Sequence, residues 1–161
     1  MTDDEWRGDP AAMLKALGID ENRVTEASAD LVSILEEKAL ILDHRSSADE
    51  LVTGFPDEAC AALAGFRIGS FESDPFHRVR LEYDGEAEVV RLGRREEGSP
   101  FDRVFARIED LTGGQLVTYG LHAYLGTDSY AYIVLHEARW EELRDALGHR
   151  FDDVFVGDYA N

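Results

Sequence analysis

The chain has 161 residues, 44% of them hydrophobic, and a formal net charge of −18 from 34 acidic against 16 basic residues. That length and composition fit one domain with a packed core. A surface of this sign gains no counterion-release energy from DNA, RNA or anionic lipid, so neither nucleic acid nor membrane is an expected partner; a basic protein or a cation is.

The chain opens with Met1-Thr2-Asp3-Asp4-Glu5, acids where an export signal would carry bases and then an apolar stretch. No apolar run approaches the ~18 residues that cross a bilayer, and the expected compartment is the cytoplasm. Asp9 is placed to cap a short helix with Pro10 at its first position, Met13, Leu14 and Leu17 on one side, and Gly18 at its end. Asp20 caps a longer helix in which Val24, Ala27, Leu31, Ile34 and Leu35 recur with helical period. Ala39-Leu40-Ile41-Leu42 reads as a short buried strand running into the turn Asp43-His44-Arg45-Ser46-Ser47. Ser47 and Glu50 have capping-box spacing, and Pro56 opens a small helix from Asp57 to Ala64 that Gly65 ends.

Strands dominate the remainder. His77 to Tyr83 and Ala87 to Leu92 flank Asp84-Gly85, the favoured dipeptide of a two-residue type I′ hairpin, with Val79 facing Val90. Ser99-Pro100 starts a helix whose Phe101, Val104, Phe105, Ile108 and Leu111 form one stripe, stopped by Gly113-Gly114. A second hairpin runs from Leu116 to Leu125 and from Tyr130 to His136. Pairing Leu125 with Tyr130 puts Val117, Tyr119, Leu121, Tyr132 and Val134 on one face, and Thr118, His122, Tyr124, Ile133 and Leu135 on the other. Both faces are apolar, which places this hairpin in the middle of a sheet. A helix with Trp140, Leu143 and Leu147 ends at Gly148, before a last strand near Phe151 to Val156. This order predicts one α+β domain over residues 1–161, helical over 1–65 and sheet-rich over 66–161. Its helices pack on a mixed, mostly antiparallel sheet of about five to six strands.

The segment Leu121-His122-Ala123-Tyr124-Leu125-Gly126-Thr127-Asp128-Ser129-Tyr130-Ala131-Tyr132-Ile133-Val134, with the helices before and after it, resembles a family of short acidic bacterial proteins catalogued only as a domain of unknown function. A family without an assigned activity offers no catalytic residues to carry over. In size and charge the chain is also similar to the immunity proteins that neutralise toxins.

The charge is uneven: residues 1–65 hold fifteen acids and five bases, against eleven and eight in 66–115 and eight and three in 116–161. The leading expectation is therefore a non-enzymatic module, inhibitor- or immunity-like, that binds a basic protein through an acidic helical face. Glu21, Glu26, Asp30, Glu36, Glu37, Asp49, Glu50, Asp57 and Glu58 make that face, with Glu26, Asp30, Glu37 and Glu50 as its candidate binding residues. Tyr119, Tyr124, Tyr130 and Tyr132 cluster on the second hairpin, and Tyr124 and Tyr130 are candidate binding residues, because tyrosine offers apolar area and a hydroxyl together. The alternative is a small enzyme or metal-dependent binder built from His122, His136, Asp128 and Asp43. In the register above the two histidines point to opposite faces, and only a one-residue slip would let them share a metal with Asp128.

A third reading makes the acidity an adaptation to salt or to genome composition, with no partner; fourteen Arg against two Lys, Lys15 and Lys38, fit it. No phosphate loop, nucleophile elbow, zincin helix or EF-hand occurs, and no cofactor is expected. The lone Cys60, among Ala59, Ala61 and Ala62, reads as a core residue rather than a nucleophile. Arg78, Arg80, Arg91, Arg94 and Arg95 alternate with Glu82, Glu86, Glu88, Glu96 and Glu97 in the middle segment. They read either as surface ion pairs or as a local anion site.

Overall fold

The computed structural model describes residues 9–24, 31–93 and 99–157. Helix α1, Pro10–Leu17, forms as its sequence dictates: Asp9 accepts a hydrogen bond from the Ala12 amide (3.1 Å), Pro10 stands first, and Gly18 closes it at φ 75°. Its Met13, Leu14, Ala16 and Leu17 are buried. Asp20 caps the 3-10 turn Glu21–Arg23, and the helical pattern resumes as α2, Leu31–Glu36, burying Leu31, Ile34 and Leu35. The stretch between, with Glu26, Ala27 and Asp30, lies outside the described residues.

Strand β1, Leu40–Asp43, buries Leu40 and Leu42 and turns Ile41 outward. Helix α3, Ala48–Gly54, starts where the Ser47 hydroxyl accepts from the Glu50 amide at 3.1 Å. Helix α4 is Asp57–Ala62. Strand β2, Arg67–Ser70, was not expected: Ile68 is its single apolar side chain, too little for a period-2 signal, and pairing with the next strand supplies what its own sequence lacks. Strands β3, Arg78–Tyr83, and β4, Glu86–Arg91, form the expected hairpin, with Val79 opposite Val90. Asp84 at φ 51° and Gly85 at φ 80° make the left-handed pair a type I′ turn requires.

Helix α5, Asp102–Leu111, buries Val104, Phe105 and Ile108. Strands β5, Leu116–Leu121, and β6, Ser129–His136, form the second hairpin, in a different register from the one expected. The chain leaves β5 at His122 for the 3-10 turn His122–Tyr124, so the connection is longer than four residues. Thr118 therefore faces Val134, Tyr119 faces Ile133 and Gly120 faces Tyr132. This moves Tyr132 and Val134 to the face of Leu116 and Thr118, and Ile133 to the face of Val117 and Tyr119. Helix α6, Glu137–Leu147, follows as predicted. The expected last strand is mostly helical: α7 is Phe151–Val154, and β7 is only Phe155–Val156. The reason is the spacing of Phe151, Val154 and Phe155, which aims all three into one core beside Trp140, with the Phe155 ring 5.1 Å from the Trp140 ring.

The α+β class holds, with the strands divided between two sheets, ordered β1-β6-β5-β7 and β2-β3-β4, and every pairing antiparallel. β5 and β6 are the inner strands of the larger sheet, as their two apolar faces require. On one face Leu121, Ala131 and Ile133 meet α1, α2, α6 and α7. On the other, Leu116, Tyr132 and Val134 meet α3, α5 and the inner side of the small sheet, Val79, Leu81 and Val90. Each such fully buried aliphatic or aromatic side chain contributes about 1.5–3 kcal/mol. Arg107 of α5 grips Glu88 of β4 through two bonds of 2.7 and 2.9 Å, fixing the helix across the hairpin. Among the described residues no helix is long and apolar enough to cross a membrane.

Candidate functional site

Several of the described acids of the helical segment are engaged by neighbouring side chains. Glu36 accepts from the Tyr124 hydroxyl at 2.6 Å, which pushes the tyrosine pKa up. Glu37 pairs with Arg23, whose hydrogen bond lowers the carboxyl pKa. Glu58 binds Lys38 at 2.7 Å, and Asp49 accepts from the Ser70 hydroxyl. Glu50 and Asp57 stand exposed in the first turns of α3 and α4. Glu26 and Asp30 lie outside the described residues.

The residues of the alternative metal or catalytic site are split, His136 at one end of the larger sheet and His122, Asp43 and Asp128 toward the other. His136 pairs with Leu116 at one end of β5, and its Nδ1 accepts from the Ala138 amide (3.2 Å) to cap α6. His122 follows Leu121 at the other end, six residues further along, a separation on the order of 20 Å. Asp43 faces Ser129 near that second end. Its side chain accepts from the Arg45 amide at 2.6 Å, a turn-forming bond rather than a catalytic one. Among the described residues no three His, Cys, Asp or Glu side chains are grouped to hold a metal. Cys60 is half-buried, and burial, then the Asp57 charge, raises its thiol pKa, opposite to what a nucleophile needs.

Of the four tyrosines Tyr119 stands apart, while Tyr124, Tyr130 and Tyr132 stay together. Tyr119 packs on Trp140 (4.6 Å) beneath the Arg144 guanidinium, and Tyr132 is 2% exposed against Phe105 (4.4 Å). Tyr124 and Tyr130 do share a small concavity of about 180 Å³, with Ser99, Asp102 and Leu125. At its wall the Tyr132 hydroxyl meets the Ser99 hydroxyl and donates to Asp102 at 3.2 Å. Burial raises the Asp102 pKa, opposed by the bonds from Tyr132 and Ser99.

A larger cleft, of about 920 Å³, was only partly visible in the sequence. Four segments build it. The β1–α3 turn brings His44, Arg45 and Ser46; the β2–β3 loop brings Phe76 and His77; the end of β4 brings Arg91, Leu92 and Gly93; the start of α5 brings Pro100 and Arg103. Backbone bonds lock these segments: Leu92 N donates to His77 O (2.8 Å), Gly93 N to Pro100 O (2.7 Å) and Ala48 N to Phe76 O (2.8 Å). The turn is set by Asp43, whose amide donates to the Ser46 hydroxyl at 3.0 Å. Three arginines and two histidines line the cleft, and no carboxylate among the described residues does. The nearby Asp74 is occupied by His77 (3.1 Å) and Arg78 (3.5 Å).

Of the arginines expected on the first hairpin, Arg80 pairs with Glu82 at 2.9 Å and Arg78 with Asp74, as surface ion pairs. Arg91 faces Arg78 across the hairpin and turns to the cleft instead. Arg94 and Arg95 lie outside the described residues. Arg45, Arg103, His77 and Phe76 carried no local signal, since only the fold brings them beside Arg91. Guanidinium forks lining an open cleft suit phosphate or carboxylate oxygens. No known protein family, curated protein or solved structure matches the chain.

Proposed function

We propose that this protein is a non-catalytic binding module that holds an anionic ligand in the cleft of Arg45, Arg91 and Arg103. The observation that carries this reading is the segregation of charge. In a chain of net charge −18, three arginines and two histidines line one cleft that no described carboxylate enters. Each charge-assisted hydrogen bond to such a ligand contributes about 1.5–3 kcal/mol. Calorimetric titration with inorganic pyrophosphate at low ionic strength tests it. Binding is expected, weakening as salt shortens the screening length from ~30 Å at 0.01 M to ~8 Å at 0.15 M. Arg91→Glu is expected to weaken it at least ~10-fold. Equal affinity in wild type and variant would overturn the reading.

The acidic helical surface supports a second reading, in which a basic protein docks on Glu50, Asp57 and their neighbours. What favours it is the exposure of these acids at the starts of α3 and α4. Such a field speeds association with a cationic partner. A Glu50→Gln, Asp57→Asn variant is then expected to slow salt-sensitive association with that partner, and an unchanged on-rate would count against it.

A further inference from the structure

We infer that the anion taken by the cleft is a phosphate ester carrying a planar aromatic ring, of the mononucleotide kind, with the ring on Phe76 and the phosphate among Arg45, Arg91 and Arg103. The inference rests on the anion-binding reading above and adds the chemistry of the rest of the ligand. Phe76 is 55% exposed, the only aromatic among the exposed large apolar side chains of the described residues, and it stands on the wall of the cationic cleft. Leaving a phenylalanine ring in water forgoes burial that a ligand ring can recover.

The ring is held rather than dangling. His77 packs edge-on to it at 4.8 Å and is itself fixed by Asp74. The carbonyls of Pro75 and Phe76 accept from the amides of Asp49 (2.9 Å) and Ala48 (2.8 Å), which ties the loop to the start of α3. Such pre-organisation lowers the ordering cost of binding. Leu92 and Pro100 add aliphatic lining to the Phe76 ring, so the cleft offers apolar surface as well as arginines.

Size and charge narrow the class further. A volume of about 920 Å³ is at the upper end of the ~300–1,000 Å³ typical of organic ligands, and far exceeds what a bare inorganic anion fills. The net charge of −18 works against a polyanion that extends beyond the cleft, because its outer phosphates meet an acidic surface. A small ligand contained in the cleft escapes that repulsion.

The test is a calorimetric series on the full chain with pyrophosphate, ribose 5-phosphate, AMP, flavin mononucleotide and a short single-stranded oligonucleotide. AMP or flavin mononucleotide is expected to bind ~10-fold or more tighter than ribose 5-phosphate, the gain that base–aromatic stacking provides. The two ring-bearing arms distinguish purine from flavin. Phe76→Ala should erase that gain and leave ribose 5-phosphate affinity unchanged, and Phe76→Trp should keep it. Because Phe76 is exposed, both variants are expected to melt with the wild type. Ring-bearing and ring-free phosphates binding equally in the wild type would overturn the aromatic part while leaving anion binding intact. An oligonucleotide preferred over AMP would also overturn it, in favour of a strand. Binding of none of the five would overturn both readings.

Discussion

Thr118 is 1% exposed on the inner face of β5, and its hydroxyl has no hydrogen-bond partner among the described residues. It faces Val134 across the hairpin, among Leu116, Tyr132 and the rings that pack on them. A buried hydroxyl without a partner carries a desolvation cost of about 1–3 kcal/mol. Thr118→Val keeps the shape and removes that cost, so it is expected to raise stability by about 1 kcal/mol in urea unfolding, with an unchanged slope. Asp102 is the contrasting case, a half-buried carboxyl whose burial cost is partly offset by Tyr132 and Ser99. At this scale the sequence is a poor guide. Thr118 and Asp102 look like ordinary strand and helix-start residues, and only the packing of remote side chains makes one of them unsatisfied and the other buried.

The elements were legible wherever a local signal defines them. Asp9-Pro10, Ser47 with Glu50, Asp84-Gly85 and Gly148 each act within a few residues, and each forms the cap or turn its chemistry implies. The second hairpin was not legible in the same way. Its register depends on where the chain leaves β5, and the 3-10 turn at His122–Tyr124 is stabilised by tertiary contact, including the Tyr124–Glu36 bond between residues far apart in sequence. The attachment of α5 to β4 belongs to this scale as well. The Arg107 hydrogen bonds lower the Glu88 pKa below its ordinary 4.5. A carboxyl with a lowered folded pKa contributes stability that is present above its unfolded pKa and lost as pH falls through the folded one. Wild type is therefore expected to lose more stability than Glu88→Gln between pH 7 and pH 3, measured by urea unfolding at each pH. Parallel pH curves for the two proteins would contradict the role assigned to this pair.

For the whole molecule, the net charge of −18 conceals a separation of charge that composition alone cannot report. Arg91 was visible as one of a run of hairpin arginines, and His44 as a neighbour of Asp43. The cleft they form with Arg45, Phe76, His77 and Arg103 draws on four segments spread over some sixty residues, and it exists only once the small sheet and α5 fold against β1 and α3. The most direct measurement is amide chemical-shift mapping as inorganic pyrophosphate is added at low ionic strength. Binding in the cleft predicts saturable shifts concentrated at residues 44–46, 76–77, 91–93 and 100–103. Shifts scattered over the surface, or strongest along residues 121–134, would contradict it.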